Sequence, residues 1–177
     1  MGWYFGSHPA HPAQSRDAAV TMVRAADSVL VLCWGNVCRS PLAERYLEAR
    51  CQNQKLDLTV DSAGLGETEG RESPRLAIEI AADYGVDLSN HRSIRTQPAD
   101  VSAADVVFVM DYNNYYSLTT RHVGARHKTF FLGALDDDPS SQIVDPFGSD
   151  RAGFEETYDR IATAIDGLVD ELSDDET

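Results

Sequence analysis

Cys33, Arg39 and Ser40 stand in the run Val29-Leu-Val-Leu-Cys33-Trp34-Gly35-Asn36-Val37-Cys38-Arg39-Ser40-Pro41, and their types and spacing suit nucleophilic attack on a tetrahedral oxyanion. Backbone N–H groups at a helix N-terminus are unpaired and carry the positive end of the helix dipole, so a loop folding its amides towards one point there makes an anion cradle. A cysteine that ends a strand and faces such a cradle has its thiolate stabilised by the same field, which makes it a useful nucleophile at neutral pH. Arg39 supplies a planar fork able to hold two oxygens of the anion. Ser40 can offer its hydroxyl to the thiolate or to a leaving thiol. The Cys-x5-Arg spacing alone equally describes a buried strand cysteine followed by a surface arginine. A strand before, Gly35 and Asn36 within, and Ser-Pro with a helix after are each what a cradle needs. No Gly-Lys-Ser/Thr follows, which excludes an ATP-type loop. Four residues separate Cys33 from Cys38, which excludes a redox Cys-x-x-Cys pair.

The elements around this loop follow from apolar periodicity. Ala18, Ala19, Met22, Val23 and Ala26 recur at three- and four-residue spacing after a Ser15 cap, which predicts one short amphipathic helix. Val29 to Leu32 reads as a strand buried on both faces. A helix is expected over 41–53, a strand over 56–60, and a glycine-rich loop over 62–70. Ser73-Pro74 opens a helix that Gly85 stops. A strand over 106–110, a helix over 112–120, a strand over 128–132, a long loop over 136–149 and a helix over 153–172 complete the chain. Strands alternating with helices predict an α/β fold, doubly wound, with a four-stranded parallel sheet carrying helices on both faces. The cysteine loop then lies at the end of the first strand, where open parallel sheets bind ligands. The expected organisation is an N-terminal arm and short helix over 1–27, one domain over 28–173 and an acidic tail over 174–177.

Cys33-Trp-Gly-Asn-Val-Cys-Arg-Ser-Pro-Leu-Ala-Glu44 resembles the signature of the low-molecular-weight protein tyrosine phosphatases. The likeness continues through Asp61-Ser-Ala-Gly64, Gly85-Val-Asp-Leu-Ser-Asn-His-Arg92, Val109-Met-Asp111 and Asp145-Pro-Phe-Gly148, in the family's order and approximate spacing. The resemblance implies a hydrolase that cleaves phosphotyrosine monoesters through a cysteinyl-phosphate. Cys33 would attack, Arg39 and the segment of Trp34, Gly35, Asn36, Val37, Cys38 and Ser40 would bind the phosphate, and Asp145 would be the acid. Ser62 and His91 would brace the loop, and Phe147 with Trp34 would wall the substrate. The implied partner is a phosphotyrosine protein, with a bacterial-type tyrosine kinase as one candidate. No metal and no cofactor are expected. Two departures bear on the pocket: residues 65–69 hold no aromatic, and Gly148 stands where a second aromatic often follows. The rivals are arsenate reduction on the same cradle and hydrolysis of phosphoarginine. The first requires relay cysteines, and none follows Cys51; the second family members carry threonine where this chain has Val37.

Composition narrows the class further. The 177 residues carry 29 acidic and 15 basic side chains, a net charge of −14, and only Lys55 and Lys128 are lysines. Nothing there makes the clustered basic face that nucleic acid or an anionic membrane demands. No apolar stretch is long enough to span a bilayer, and the first 14 residues lack the apolar core of a signal peptide, so a cytoplasmic protein without membrane insertion is expected. Three cysteines in a chain of this size make no disulfide framework. Asp136, Asp137 and Asp138 read as a solvated loop tip, Asp111 as a helix cap, and Cys51 as an inert buried thiol. A dianionic ligand can still bind, because exposed charges are screened over about 8 Å and the cradle dominates locally.

Overall fold

The computed structural model describes residues 11–174; the first ten residues of the expected arm and the last three of the tail lie outside the described residues. Four strands, β1 (Ser28–Cys33), β2 (Thr59–Gly64), β3 (Val106–Val109) and β4 (Thr129–Phe131), pair in parallel in the order β2-β1-β3-β4. The chain therefore leaves β1 towards one edge and returns on its other side. The crevice opened by that reversal, at the carboxyl end of β1, is where such sheets bind ligands.

Among the described residues six α-helices connect and cover the strands: α1 (Arg16–Arg24), α2 (Arg39–Gln54), α3 (Arg75–Asp83), α4 (Pro98–Ala103), α5 (Tyr112–Arg121) and α6 (Arg151–Ser173). Alternation of side chains along each strand sends Val29, Val31 and Cys33 to one face and Leu30 and Leu32 to the other. The first face packs beneath α1, α2, α3 and α6, with Leu42, Leu47, Ile80, Tyr158, Ile161 and Ile165 in its core. The second packs against α4 and α5 through Val101, Tyr115 and Leu118. Continuous apolar runs in β1 and β3 are the sequence record of this double burial.

Several boundaries differ from expectation for local reasons. β2 begins at Thr59, not residue 56, because α2 ends on Lys55 in a left-handed turn (φ 61°) and Leu56 N–H still bonds back to the Cys51 carbonyl. Only at Thr59, whose N–H meets the Asp27 carbonyl, does the chain reach the level of Ser28. The strand then runs through Ser62 to Gly64, residues expected in a loop, because Gly64 is held on its far side by Ile94 and Thr96. α4 was not foreseen; its six residues start on Pro98 and are capped reciprocally by Gln97 and Asp100. In α1, Ala19 and Val23 are buried as expected, but Val20 takes the buried place expected of Ala18, which is exposed. Asp136 is not solvated: its carboxylate is 5% exposed and accepts three bonds from the Arg160 guanidinium, while Asp137 stays open to solvent.

Candidate active site

The loop from Trp34 to Cys38 joins β1 to α2, and its turn depends on Asn36, whose φ of 50° few side chains adopt. Asn36 is fully buried and tied at every polar atom. Its Nδ2 donates to Ser40 Oγ and to Ser62 Oγ, each at 2.9 Å; its Oδ1 accepts from Ile94 N–H at 2.9 Å; its carbonyl lies 2.7 Å from His91 Nε2. A carbonyl only accepts, so His91 bears its proton on Nε2. Burial, the dominant influence, holds His91 below its ordinary pKa, which keeps the ring neutral in that role. The Ser62 hydroxyl in turn donates a hydrogen bond to Glu44 Oε2 at 2.5 Å, and burial pushes the Glu44 carboxyl upward.

This network aims at Cys33. The thiol is 3% exposed, with Sγ 3.2 Å from Asn36 N–H and 3.0 Å from Ser40 Oγ. Because the Asn36 amide already donates to Ser40, the serine hydroxyl is left to donate its proton towards sulfur. Two donors therefore converge on the atom that would carry negative charge. Arg39 and Ser40 open α2, so their N–H groups have no intrahelical acceptor and add the helix terminus to the same field.

Arg39 is 1% exposed, one of the largest fully buried side chains among the described residues. Its Nη1 donates to Asp111 Oδ2 at 2.7 Å and to the Ile143 carbonyl at 2.9 Å, and its Nη2 to Asp145 Oδ2 at 3.0 Å. Burial opposes its charge, but Cys33, Asp145 and Asp111 outweigh that and hold the guanidinium above its ordinary pKa. Its Nε is buried with no hydrogen-bond partner. A buried donor left unpaired costs about 1–3 kcal/mol, and an oxyanion in the cradle would satisfy it.

Asp145 sits apart from this rigid set. Its side chain is 45% exposed; Oδ1 accepts from Phe147 N–H at 3.1 Å while Oδ2 meets Arg39. Pro146 beneath it is buried, and its carbonyl accepts from Ser149 Oγ at 2.7 Å. Phe147 and Trp34 are half-exposed at the mouth. The indole of Trp34 lies over Gly66, where a Cβ would come within 3.2 Å of Nε1. With no aromatic in residues 65–69, Trp34 lies against that loop itself and needs the glycine there.

The structure gathers Cys33, Asn36, Arg39, Ser40, Ser62, His91 and Asp145 around one point. Val37 and Cys38 turn their side chains into the core, so only their backbone faces the loop's interior. Burial, followed by the Asp145 charge, pushes the Cys38 thiol well above its ordinary range. Cys51 is pushed up to about 11 by burial and lies away from the loop on α2. Two residues went unrecognised as parts of the site. Asp111 caps α5 as expected, with Oδ1 accepting from Asn114 N–H at 2.8 Å, but its other oxygen holds Arg39. Glu44 anchors Ser62. An acidic side chain just past the carboxyl end of β3, beside the crevice, was the available signal for Asp111; Glu44 closes the Cys33–Glu44 run, but nothing in that run points to Ser62 as its partner.

Comparison with known proteins places these residues in context. The family model described as low molecular weight phosphotyrosine protein phosphatase matches residues 28–177. The chain is 32% identical over 142 residues to the probable low molecular weight protein-tyrosine-phosphatase EpsP of Ralstonia nicotianae, covering 80% of this chain and 93% of that one. The crystal structure of the Erwinia amylovora tyrosine phosphatase AmsI superposes with a TM-score of 0.76 at 29% identity, covering 84% of this chain and 94% of that one. The YwlE arginine phosphatase of Geobacillus stearothermophilus superposes with a TM-score of 0.74 at 30% identity, over 84% and 94%.

Proposed function

The chain belongs to the low molecular weight phosphotyrosine protein phosphatase family, and on that footing we propose that it hydrolyses phosphotyrosine monoesters of proteins through a cysteinyl-phosphate on Cys33. It is a cysteine-dependent phosphoric monoester hydrolase. The observation that carries the assignment of roles is the unpartnered, buried Nε of Arg39 beside a thiol on which two donors converge.

Phosphoryl transfer needs an in-line nucleophile, donors for three equatorial oxygens and a proton for the leaving oxygen. Cys33 Sγ attacks phosphorus as the bond to the tyrosine oxygen breaks. Arg39, through Nε and the nitrogen that Asp145 occupies in the free enzyme, and the amides from Trp34 to Ser40 hold the equatorial oxygens. These contacts strengthen as charge spreads in the transition state. Asp145 gives its proton to the phenoxide. The resulting carboxylate then takes a proton from the water that attacks the cysteinyl-phosphate, which releases inorganic phosphate and the Cys33 thiolate. Ser40 stabilises that departing sulfur. Asn36, Ser62, His91 and Glu44 keep the loop in its strained turn, and Asp111 keeps Arg39 aimed. Trp34 and Phe147 wall the tyrosine ring.

We assign the substrate to phosphotyrosine proteins, with a bacterial-type tyrosine kinase as the proposed partner on the strength of the family resemblance. Among the described residues no helix is long and apolar enough to cross a membrane. A thiol nucleophile is best preserved in a reducing compartment, which supports our placing the protein in the cytoplasm. Steady-state hydrolysis of p-nitrophenyl phosphate and of a phosphotyrosine peptide tests the proposal. Wild type turns over both, inorganic phosphate competes, and Cys33→Ser is inactive. A pure wild-type protein with no turnover on either substrate sinks it.

A further inference from the structure

Arg71 belongs to none of the roles above, yet it overhangs the mouth. Its guanidinium carbon lies 5.3 Å from the centroid of the Phe147 ring. One of its terminal nitrogens comes within 3.8 Å of where a Cβ on Gly35 would stand, so the side chain reaches from the acid-bearing segment to the cradle itself. Its charge acts there: with Arg39, it is one of two cations that favour the ionised form of the Cys38 thiol. The position is built from below. Arg71 N–H donates to Ser93 Oγ at 3.0 Å, Ser93 N–H donates to the Arg71 carbonyl at 2.9 Å, and Gly70 N–H donates to the Ser93 carbonyl at 2.7 Å, with Ser93 buried. The side chain above this anchor is uncommitted. Neighbouring Glu72 is taken by Arg92 at 2.7 Å, and among the described residues no carboxylate pairs with Arg71.

The overall fold does not choose between leaving groups, since solved structures of a tyrosine phosphatase and of an arginine phosphatase match this chain about equally well, at TM-scores of 0.76 and 0.74. The mouth must make the choice. A planar cation beside an aromatic ring attracts the face of a second ring entering next to it. It repels a group that carries its own positive charge, such as the guanidinium of phosphoarginine. We propose that Arg71 is a specificity-determining residue, forming with Phe147 a wall of the pocket that favours an aryl group behind the phosphate over a guanidinium. The proposal rests on the phosphotyrosine reading above and names what enforces it.

Inhibition of p-nitrophenyl phosphate hydrolysis separates the ring from the phosphate. In Arg71→Gln the Ki of phenylphosphonate rises about fivefold to tenfold, while that of inorganic phosphate, which has no ring, rises less than about twofold. In Arg71→Glu, hydrolysis of a phosphoarginine peptide increases relative to a phosphotyrosine peptide of the same flanking sequence. Equal weakening of phenylphosphonate and phosphate would mean that Arg71 merely draws in anions, and would overturn the proposal. So would an unmoved Ki for phenylphosphonate, or a phosphoarginine peptide that gains nothing in Arg71→Glu. Any of these three failures in an active enzyme leaves the phosphatase reading standing; an inactive wild type removes both proposals.

Discussion

The cradle and the segment that carries the acid meet at one guanidinium but are built differently. From Cys33 to Ser40, the residues with chemical roles are buried: Cys33 is 3% exposed, Arg39 1% and Ser40 0%. Cys33 and Ser40 are fixed by each other and by Asn36, which is itself tied to Ser62 on β2 and to His91, and Arg39 is fixed by Asp111 at the end of β3. Asp145, by contrast, has a side chain 45% exposed, and Val144 and Phe147 on either side of it are open. The segment is pinned most heavily at its base, where Ile143 N–H bonds to the Met110 carbonyl and Arg160 gathers the Ser140 and Gln142 carbonyls with the Asp136 carboxylate; further along it is held by single bonds, from Thr157 Oγ1 to the Val144 carbonyl and from Arg39 to Asp145. Binding charge and stabilising a thiolate demand donors already in place, because reorganising them during the reaction would cost what they contribute. Delivering a proton to a departing group and then taking one from water demands access. The contrast teaches that anion recognition is part of the fold, whereas proton transfer is attached to it.

If so, damage to the cradle should reduce both stability and activity, and damage to the acid segment should reduce activity alone. Arg39→Ala makes the largest break: kcat/KM falls by about 10²–10³-fold. The same variant loses about 2 kcal/mol or more of stability, because Asp111 and the Ile143 carbonyl lose their donor. Urea unfolding and steady-state kinetics on one preparation measure both. Asp145→Asn lowers kcat for a phosphotyrosine peptide by about 10²-fold, and by less for p-nitrophenyl phosphate, whose leaving group needs little help. Its urea midpoint stays with wild type, and a large drop there would break the contrast. Asp111→Asn keeps the α5 cap, since asparagine caps as well as aspartate. Its effect, about threefold to tenfold in kcat/KM, isolates the charge that aims Arg39.

The smallest effect is a pH dependence of stability. Burial holds folded His91 below its ordinary pKa, so the unfolded chain binds a proton that the folded one resists. The His91 contribution is therefore present above about pH 6.5 and is lost as pH falls through and below that value. Melting temperature should drop less steeply in His91→Gln than in wild type between about pH 7 and pH 5.5. Equal slopes would show that the brace does not titrate.

How legible each region was in the sequence follows the same division. β1, β3 and α6 were plain because double burial writes continuous apolar runs and Phe154, Tyr158, Ile161, Ile165, Leu168 and Leu172 all face inward. The cradle was plain because nucleophile, turn residue, arginine and serine occupy one short run. β2 was displaced by three residues because its start is set by pairing with Ser28, a long-range fact that Leu56 and Leu58 hide. α4 is too short to show a period, and its Gln97–Asp100 capping carries little weight alone. Asp136 looked like one of three equivalent acids until Arg160, 24 residues later in the chain, claimed it. Arg71 was not legible as part of the site, and Asp111 and Glu44 stood in their motifs without a role, because each acts on a residue well apart in sequence, Asp111 on Arg39 and Glu44 on Ser62.

The central claim is that Cys33 carries the phosphoryl group, and trapping it tests that most directly. Wild-type protein mixed with p-nitrophenyl phosphate, quenched in acid within one turnover and digested, should yield one phosphoryl group on the peptide that contains Cys33 and Cys38, with fragmentation placing it on Cys33. Phosphate on any other residue, or none on Cys33 while nitrophenol is released in a burst, would contradict the account.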